Sequence, residues 1–478
     1  MYKMFANRLK NVTLALALCF LLTGCDRKEA KVQAAFAEYQ AAASSGDLAA
    51  ARDALLRLTA IDEDVADYWA ELGRVQLALG AYPDAYFALT RALELNRSSP
   101  DLLRILAQLS LRADRLDLAE DYAEQLDLVA PGDVAVRLTK AMVALRQNNL
   151  EEASAQSAEI LKADPTNSDA RLIESQVLQR SGRPAEAIAL LEKQVALKSE
   201  DIPAHRALAA LYEEADNLKK SAEHRRRVYA LRPDAAEEGV RAVEASFRAG
   251  DVEWAQEASI KLLGPKVPAA QVRAVLTLWE DEWSGAERVR LARRLAQAAP
   301  VSQKAEFAQF LIRTGAPADA ASILAPIVGT TADRRNVQHA GIYAHALVDM
   351  GKVEEARRWI DEVLAIDQDN VDALRATVRL DVRRKDFEIA INDAQKIVTL
   401  VPDSAEDRLL LSRTYAAAGD RREAERVLWQ AFHDLPGDRH VYVALQQFLI
   451  ASGDIDGRKR VASEFAERRR ASNLKDLI

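Results

Sequence analysis

Residues 69–92 read WAELGRVQLALGAYPDAYFALTRA, and this stretch decides the fold. Two apolar, helix-forming runs flank Gly80, and the residue five positions later, Ala85, is small. The pair recurs along the chain. A turn residue stands between apolar helical runs at Gly46, Gly80, Asp114, Asn148, Gly182, Asp216, Gly250, Gly285, Gly315, Gly351, Lys385, Gly419 and Gly453. Gly46 to Gly453 is 407 residues over 12 intervals, and the first seven turns and the last four are each spaced 34 apart. A stack of helical hairpins has this period. A left-handed residue ends the first helix of each hairpin, which Gly adopts freely and Asn or Asp tolerate, so Lys385 is the outlier.

Small residues follow five positions after the turns: Ala51, Ala85, Ala119, Ala153, Ala187, Ala255, Ala320, Ala356, Ala390 and Ala424, with Ser221. Two antiparallel helices approach most closely beside their turn, and a larger side chain there would force them apart. Pro131, Pro165, Pro233, Pro402 and Pro436 each lie 17 residues after a turn, where the second helix must stop.

On these residues the chain resembles the tetratricopeptide repeat family, from about Lys31 to the C-terminus. Trp69, Leu72, Gly73, Gly80, Ala85 and Ala92 stand at the family's spacing, as do Leu411, Tyr415, Gly419, Ala424, Ala431 and Pro436. Elsewhere Leu103 or Leu374 replaces the first-helix aromatic. The resemblance implies an all-α, right-handed superhelical solenoid of about 13 helix-turn-helix hairpins, with the first helix of each lining a concave face. Composition agrees: 49% hydrophobic, 29% charged and only 6% aromatic residues suit a helical stack better than a sheet.

The N-terminus carries a second signal. Lys3, Arg8 and Lys10 precede an apolar run from Val12 to Leu22, and Leu22-Thr23-Gly24-Cys25 follows. Eleven helical residues span about 16 Å, short of the roughly 30 Å hydrocarbon core, so a cleaved secretion signal over residues 1–24 is expected rather than a membrane span. The ending resembles the lipobox of bacterial lipoproteins, which implies acylation of Cys25. Cys19 is the other cysteine and falls inside the leader, so the mature chain would hold no free thiol. Asp26 resembles an inner-membrane retention signal, which favours the periplasmic face of the inner membrane over the outer membrane. Residues 25–31 are expected to form a short extended tether.

Without residues 1–24 the chain has 62 basic and 73 acidic residues, a net of −11. Secretion and acidity together argue against nucleic acid, whose phosphates need a cationic surface. No His-Glu-x-x-His, Gly-x-Ser-x-Gly, phosphate-cradling loop or cysteine pair is present, so no enzyme, metal or cofactor is expected. His205, His224, His339, His345, His433 and His440 read as ordinary helix positions.

Two residues before the turn stands an arginine in six repeats: Arg112, Arg146, Arg180, Arg248, Arg313 and Arg383. Such a row suits an anionic polysaccharide or a carboxylate-rich peptide along the groove. It also suits solvated cations that offset helix dipoles. The family's chaperone-tail clamp is not matched: Arg104 and Gln108 come nearest, but Thr139, Asp169 and Ile173 follow. The phase falters between Gly264 and Pro300, where Trp279 and Trp283 either fill an irregular core or stand exposed as a binding anchor, and Arg290 replaces the alanine. From Arg458 to Arg470 a basic segment carries Val461, Ala462, Phe465 and Ala466 at helical spacing, a cap for the last hairpin or a docking patch.

The expected organisation is an N-terminal array over 32–263, an irregular repeat and hinge over 264–302, and a C-terminal array over 303–478. The expected role is a lipid-anchored periplasmic scaffold for protein partners of the bacterial envelope. Lipoproteins that resemble it serve exopolysaccharide export, pilus assembly, outer-membrane biogenesis and envelope proteolysis. Exopolysaccharide export or an associated sorting system is the favoured setting, with direct binding of an anionic glycan as the alternative.

Overall fold

The computed structural model describes the backbone of residues 26–475 and the side chains of residues 28–468. The leader 1–24 and Cys25 lie outside the described residues. Among the described residues every regular element is a helix, and the helices pair into thirteen hairpins, from Asp26–Ser45 with Leu48–Ile61 to Arg439–Ser452 with Ile455–Lys475. Short polar side chains start many of them. Asp47, Ser99, Asn167, Asn370 and Asp438, for example, each accept a backbone N–H from the first turn that the helix itself leaves unpaired.

All thirteen turn residues have positive φ, including Asp114 (56°), Asn148 (59°), Asp216 (57°) and Lys385 (66°). In twelve hairpins the next residue's N–H reaches back across the helix end, as from Ala81 to the Gln76 carbonyl at 2.9 Å and from Asp386 to Asp381 at 2.9 Å. That bond closes a Schellman cap. A lysine in this conformation carries a left-handed penalty of roughly 1–2 kcal/mol that glycine avoids, partly offset by glycine's freer unfolded chain. Lys385→Gly is therefore expected to stabilise the fold by about 0.5–1 kcal/mol, read as a raised urea midpoint.

The alanines five residues past the turns are buried, Ala85, Ala119, Ala153 and Ala187 completely. Gly73 marks the same close approach, because a Cβ there would lie 2.5 Å from Leu89 Cγ of the second helix.

The eighth hairpin departs from this plan. Its helices are Ala269–Glu282 and Ala286–Ala298, and Gly285 (φ 104°, ψ 169°) is the N-cap of the second instead of the left-handed end of the first. Arg288 supplies the missing cap, donating to the carbonyls of Trp279 (2.6 Å), Glu280 (2.9 Å) and Trp283 (2.6 Å). The close approach moves to Ala292 and Ala296, both fully buried, and leaves Arg290 exposed.

The chain divides into two compact units, Met1–Leu190 and Leu191–Ile478. The hinge expected at 264–302 is thus corrected, since that segment lies inside the second unit. One core cluster runs through it from Val243 to Ala346, with Trp279 at its centre. The extended tether is corrected as well: residues 26–31 are already helical, because Asp26, Glu29, Ala30 and Lys31 suit a first helical turn. At the other end Val461 is buried and Phe465 stacks on Tyr442 at 4.2 Å, whereas Ala462 and Ala466 are exposed. Arg460 lies over Trp429 and Arg468 over Phe432, so this stretch packs on the preceding hairpin as a cap does.

Candidate partner groove

First helices of successive hairpins touch one another in both units, for example Pro100–Arg112 against Val134–Arg146, Val134–Arg146 against Ser168–Arg180, and Ala269–Glu282 against Val301–Arg313. They therefore form the inner wall of the stack. The helical period sets positions 2, 5, 9 and 13 of each first helix on that wall.

Position 13 is where the six arginines stand, and each is engaged by the hairpin before it. Arg112 lies over the Tyr82 ring at 4.1 Å. Arg146 donates to Asp114 at 2.9 Å, Arg180 to the Leu145 carbonyl, and Arg248 to Glu213. Arg313 makes a two-pronged pair with Glu280 at 2.7 and 3.0 Å, and Arg383 donates to the Val348 carbonyl at 2.7 Å. The row that the sequence leaves open, as cations for an anionic ligand or as solvated cations, stands in the structure as a row of contacts between hairpins. The reason is geometric: a long side chain in the last turn of one helix reaches the carbonyl-rich end of the helix stacked before it. Changing Arg112, Arg146 and Arg180 together to Gln should lower the urea midpoint, with each pair contributing about 1 kcal/mol or less. An unchanged midpoint combined with lost retention on an anionic polysaccharide column would restore the ligand role.

A second set of clamps points forward. Arg104 pairs with Asp133 at 2.7 Å, Arg206 with Glu238, Arg273 with Glu306 at 2.8 Å, and Arg375 with Asp407 at 2.6 and 2.7 Å. The sequence holds a faint signal for them, a carboxylate 29–33 residues after each arginine. Asp133 is held below the usual carboxylate range: burial opposes this, but the Arg104 guanidinium and the Ala135 N–H outweigh it. Arg375 holds its charge despite burial because Asp407, Asp372 and Glu406 surround it.

In the second unit these charges also bridge hairpins that are not neighbours. Gln309 donates to Asp372 at 3.1 Å, Arg313 reaches Glu406 at 3.8 Å, and Arg439 and His440 meet Asp281 at 3.1 and 3.3 Å. The last helix touches Ile202–Glu214. The inner wall of this unit is crossed by its own side chains. His345 is buried among them and held neutral well below its ordinary value, by burial first and then by Arg379, Arg375 and Arg313.

In the first unit Tyr39 meets Glu71 (3.0 Å) and Tyr86 meets Tyr122 (3.1 Å), each across neighbouring hairpins. Its inner wall at hairpins four and five presents Leu138, Met142 and Leu172, all half-buried.

Trp279 and Trp283 are buried, their rings edge-on at 5.0 Å, so neither is an exposed anchor. The irregular hairpin has the space that two indoles fill. His205 and His224, separate in the sequence reading, meet with Nδ1 atoms 2.9 Å apart. Burial pushes both below the ordinary imidazole value, His224 to about 4. Among the described residues no group of three or more His, Cys, Asp or Glu could hold a metal, and no helix is long and apolar enough to cross a membrane.

Residues 138–202, covering hairpins four and five, match the family model for the tetratricopeptide repeat. No curated protein matches the chain. Among solved structures it is similar to a tetratricopeptide repeat protein from Parabacteroides merdae, at 15% identity over 55% of this chain and 98% of that one, with a TM-score of 0.40. It is also similar to yeast Tom70, at 12% identity over 86% and 94% with a TM-score of 0.34. A third is PilW, a type IV pilus biogenesis factor, at 18% identity over 41% and 91% with a TM-score of 0.33.

Proposed function

We propose that this chain, which is a tetratricopeptide-repeat protein, is a scaffold held at the periplasmic face of a bacterial membrane by a lipid on Cys25, docking a protein partner on the inner wall of its first unit. Hairpins of this family present a wall of stacked helices to other polypeptides, which is the coarse role of the whole chain. The observation that carries the finer reading is the contrast between the two units. Arg313, Asp372, Glu406 and Arg439 tie the second unit's wall to itself. The first unit leaves Leu138, Met142 and Leu172 facing its groove. Half-buried aliphatic side chains on a concave wall gain most from being covered by a partner.

The setting is an envelope assembly pathway, with exopolysaccharide export or an associated sorting system favoured. Direct glycan binding is the weaker reading, because the arginines that would hold the glycan are already paired within the stack.

One strain tests both halves. The full chain, expressed in a bacterial envelope with a photo-crosslinking residue at Leu172, should yield one discrete adduct with an envelope protein, and it should label with a fatty acid. Cys25→Ser should abolish the labelling and leave an unprocessed precursor. Adducts from Arg379 in the second unit, with none from Leu172, would place docking elsewhere; labelling of Cys25→Ser would refute the anchor.

A further inference from the structure

The groove's chemistry narrows the partner. We infer that the first unit's inner wall takes a polypeptide segment that carries apolar side chains and has Lys or Arg along one flank; this rests on the docking reading above.

Charge supplies the first argument. Residues 28–190 hold 17 Lys and Arg against 26 Asp and Glu, a net of −9, whereas residues 191–478 hold 44 against 46, a net of −2. The acidity of the chain is therefore concentrated in the unit whose groove is open. Such a field draws cations and slows the approach of acidic segments or anionic glycans.

Position supplies the second. Asp67, Asp101 and Asp169 occupy the first turns of the first helices of hairpins two, three and five, and all three are exposed, although Asp101 is paired with Arg104 of its own helix at 2.6 Å. Stacked first helices share a direction, so these carboxylates line one rim of the groove. The opposite rim holds Arg112, Arg146 and Arg180, whose guanidiniums are turned onto the preceding hairpins. One rim thus offers Asp67 and Asp169 to a partner while the other offers clamped arginines.

The floor supplies the third. Leu138, Met142 and Leu172 lie four and thirty residues apart, which puts them on neighbouring helices and one face. Met142 is unbranched and adapts to differing shapes, so the floor selects apolar character more than one side-chain shape. An apolar segment with cations on one flank satisfies floor and rim together.

The test uses the full chain and two fluorescein-labelled twelve-residue peptides, one alternating Leu and Lys, the other alternating Leu and Glu, read by fluorescence anisotropy. The Leu/Lys peptide should bind saturably and the Leu/Glu peptide should not. Met142→Lys, and separately Asp67 and Asp169 changed together to Asn, should each weaken Leu/Lys binding by about tenfold while the helical circular dichroism is kept. Equal binding of both peptides, or full affinity in both variants, overturns the inference. The Leu/Lys peptide should also suppress the Leu172 adduct. An adduct that forms but is not suppressed sinks this inference and leaves docking on the first unit standing; absence of any adduct sinks the docking reading itself.

Discussion

Trp279→Ala is expected to lower the unfolding free energy of the second unit by about 3–5 kcal/mol, the range for emptying a fully buried large aromatic site. The indole is completely buried, meets Trp283 edge-on at 5.0 Å and Phe310 at 6.3 Å, and belongs to the cluster that runs from Val243 to Ala346. Its neighbours lie on several hairpins, so the surrounding structure can collapse only partly into the space. Trp279→Phe should cost much less, because it keeps most of the ring volume and deletes an indole N–H that is buried without an acceptor. The measurement is urea unfolding followed by hydrogen exchange, which resolves the two units where a single melting curve would merge them. Protection should fall in hairpins seven to ten and persist in residues 28–190. A drop of less than about 1 kcal/mol would mean that the irregular hairpin is loosely packed and that Trp279 is not its keystone.

The parts of the fold that were legible in the sequence are those that each hairpin settles locally. A left-handed helix end has a short menu of residues, so twelve turns could be read from Gly, Asn and Asp, and Lys385 could be kept on phase alone; its φ of 66° bears that out. Small residues beside the turn were legible for the same reason. Gly285 shows the limit. It looks like the other turn glycines, yet it caps the next helix, and Arg288 takes over its expected task from three residues farther on. Nothing in the local pattern distinguishes an N-cap glycine from a helix-ending one.

The arginine row was legible as a pattern but not as a role. Whether Arg146 or Arg383 faces a ligand or the hairpin before it depends on how far one hairpin sits from the next, which a 34-residue period does not state. Contacts such as Arg313 with Glu406, or Arg439 with Asp281, were invisible, since they depend on small rotations summed over several hairpins. The open groove of the first unit emerges only against those closures.

Arg375→Leu should be as damaging as the loss of Trp279, by a different route. Asp407 is fully buried, and Arg375 holds both of its carboxylate oxygens, at 2.7 and 2.6 Å, while also meeting Asp372 at 3.0 Å. Removing the guanidinium leaves a carboxylate inside the stack with its counter-charge gone, a change that costs about 3–5 kcal/mol in buried pairs. Adding Asp407→Leu should return most of that loss, because an apolar pair of similar volume carries no stranded charge. The double variant separates this cause from simple loss of packing, read as the urea midpoints of the parent, the single and the double variant. A double variant that recovers nothing would mean that Arg375 serves the stack through its aliphatic stem and not through its charge.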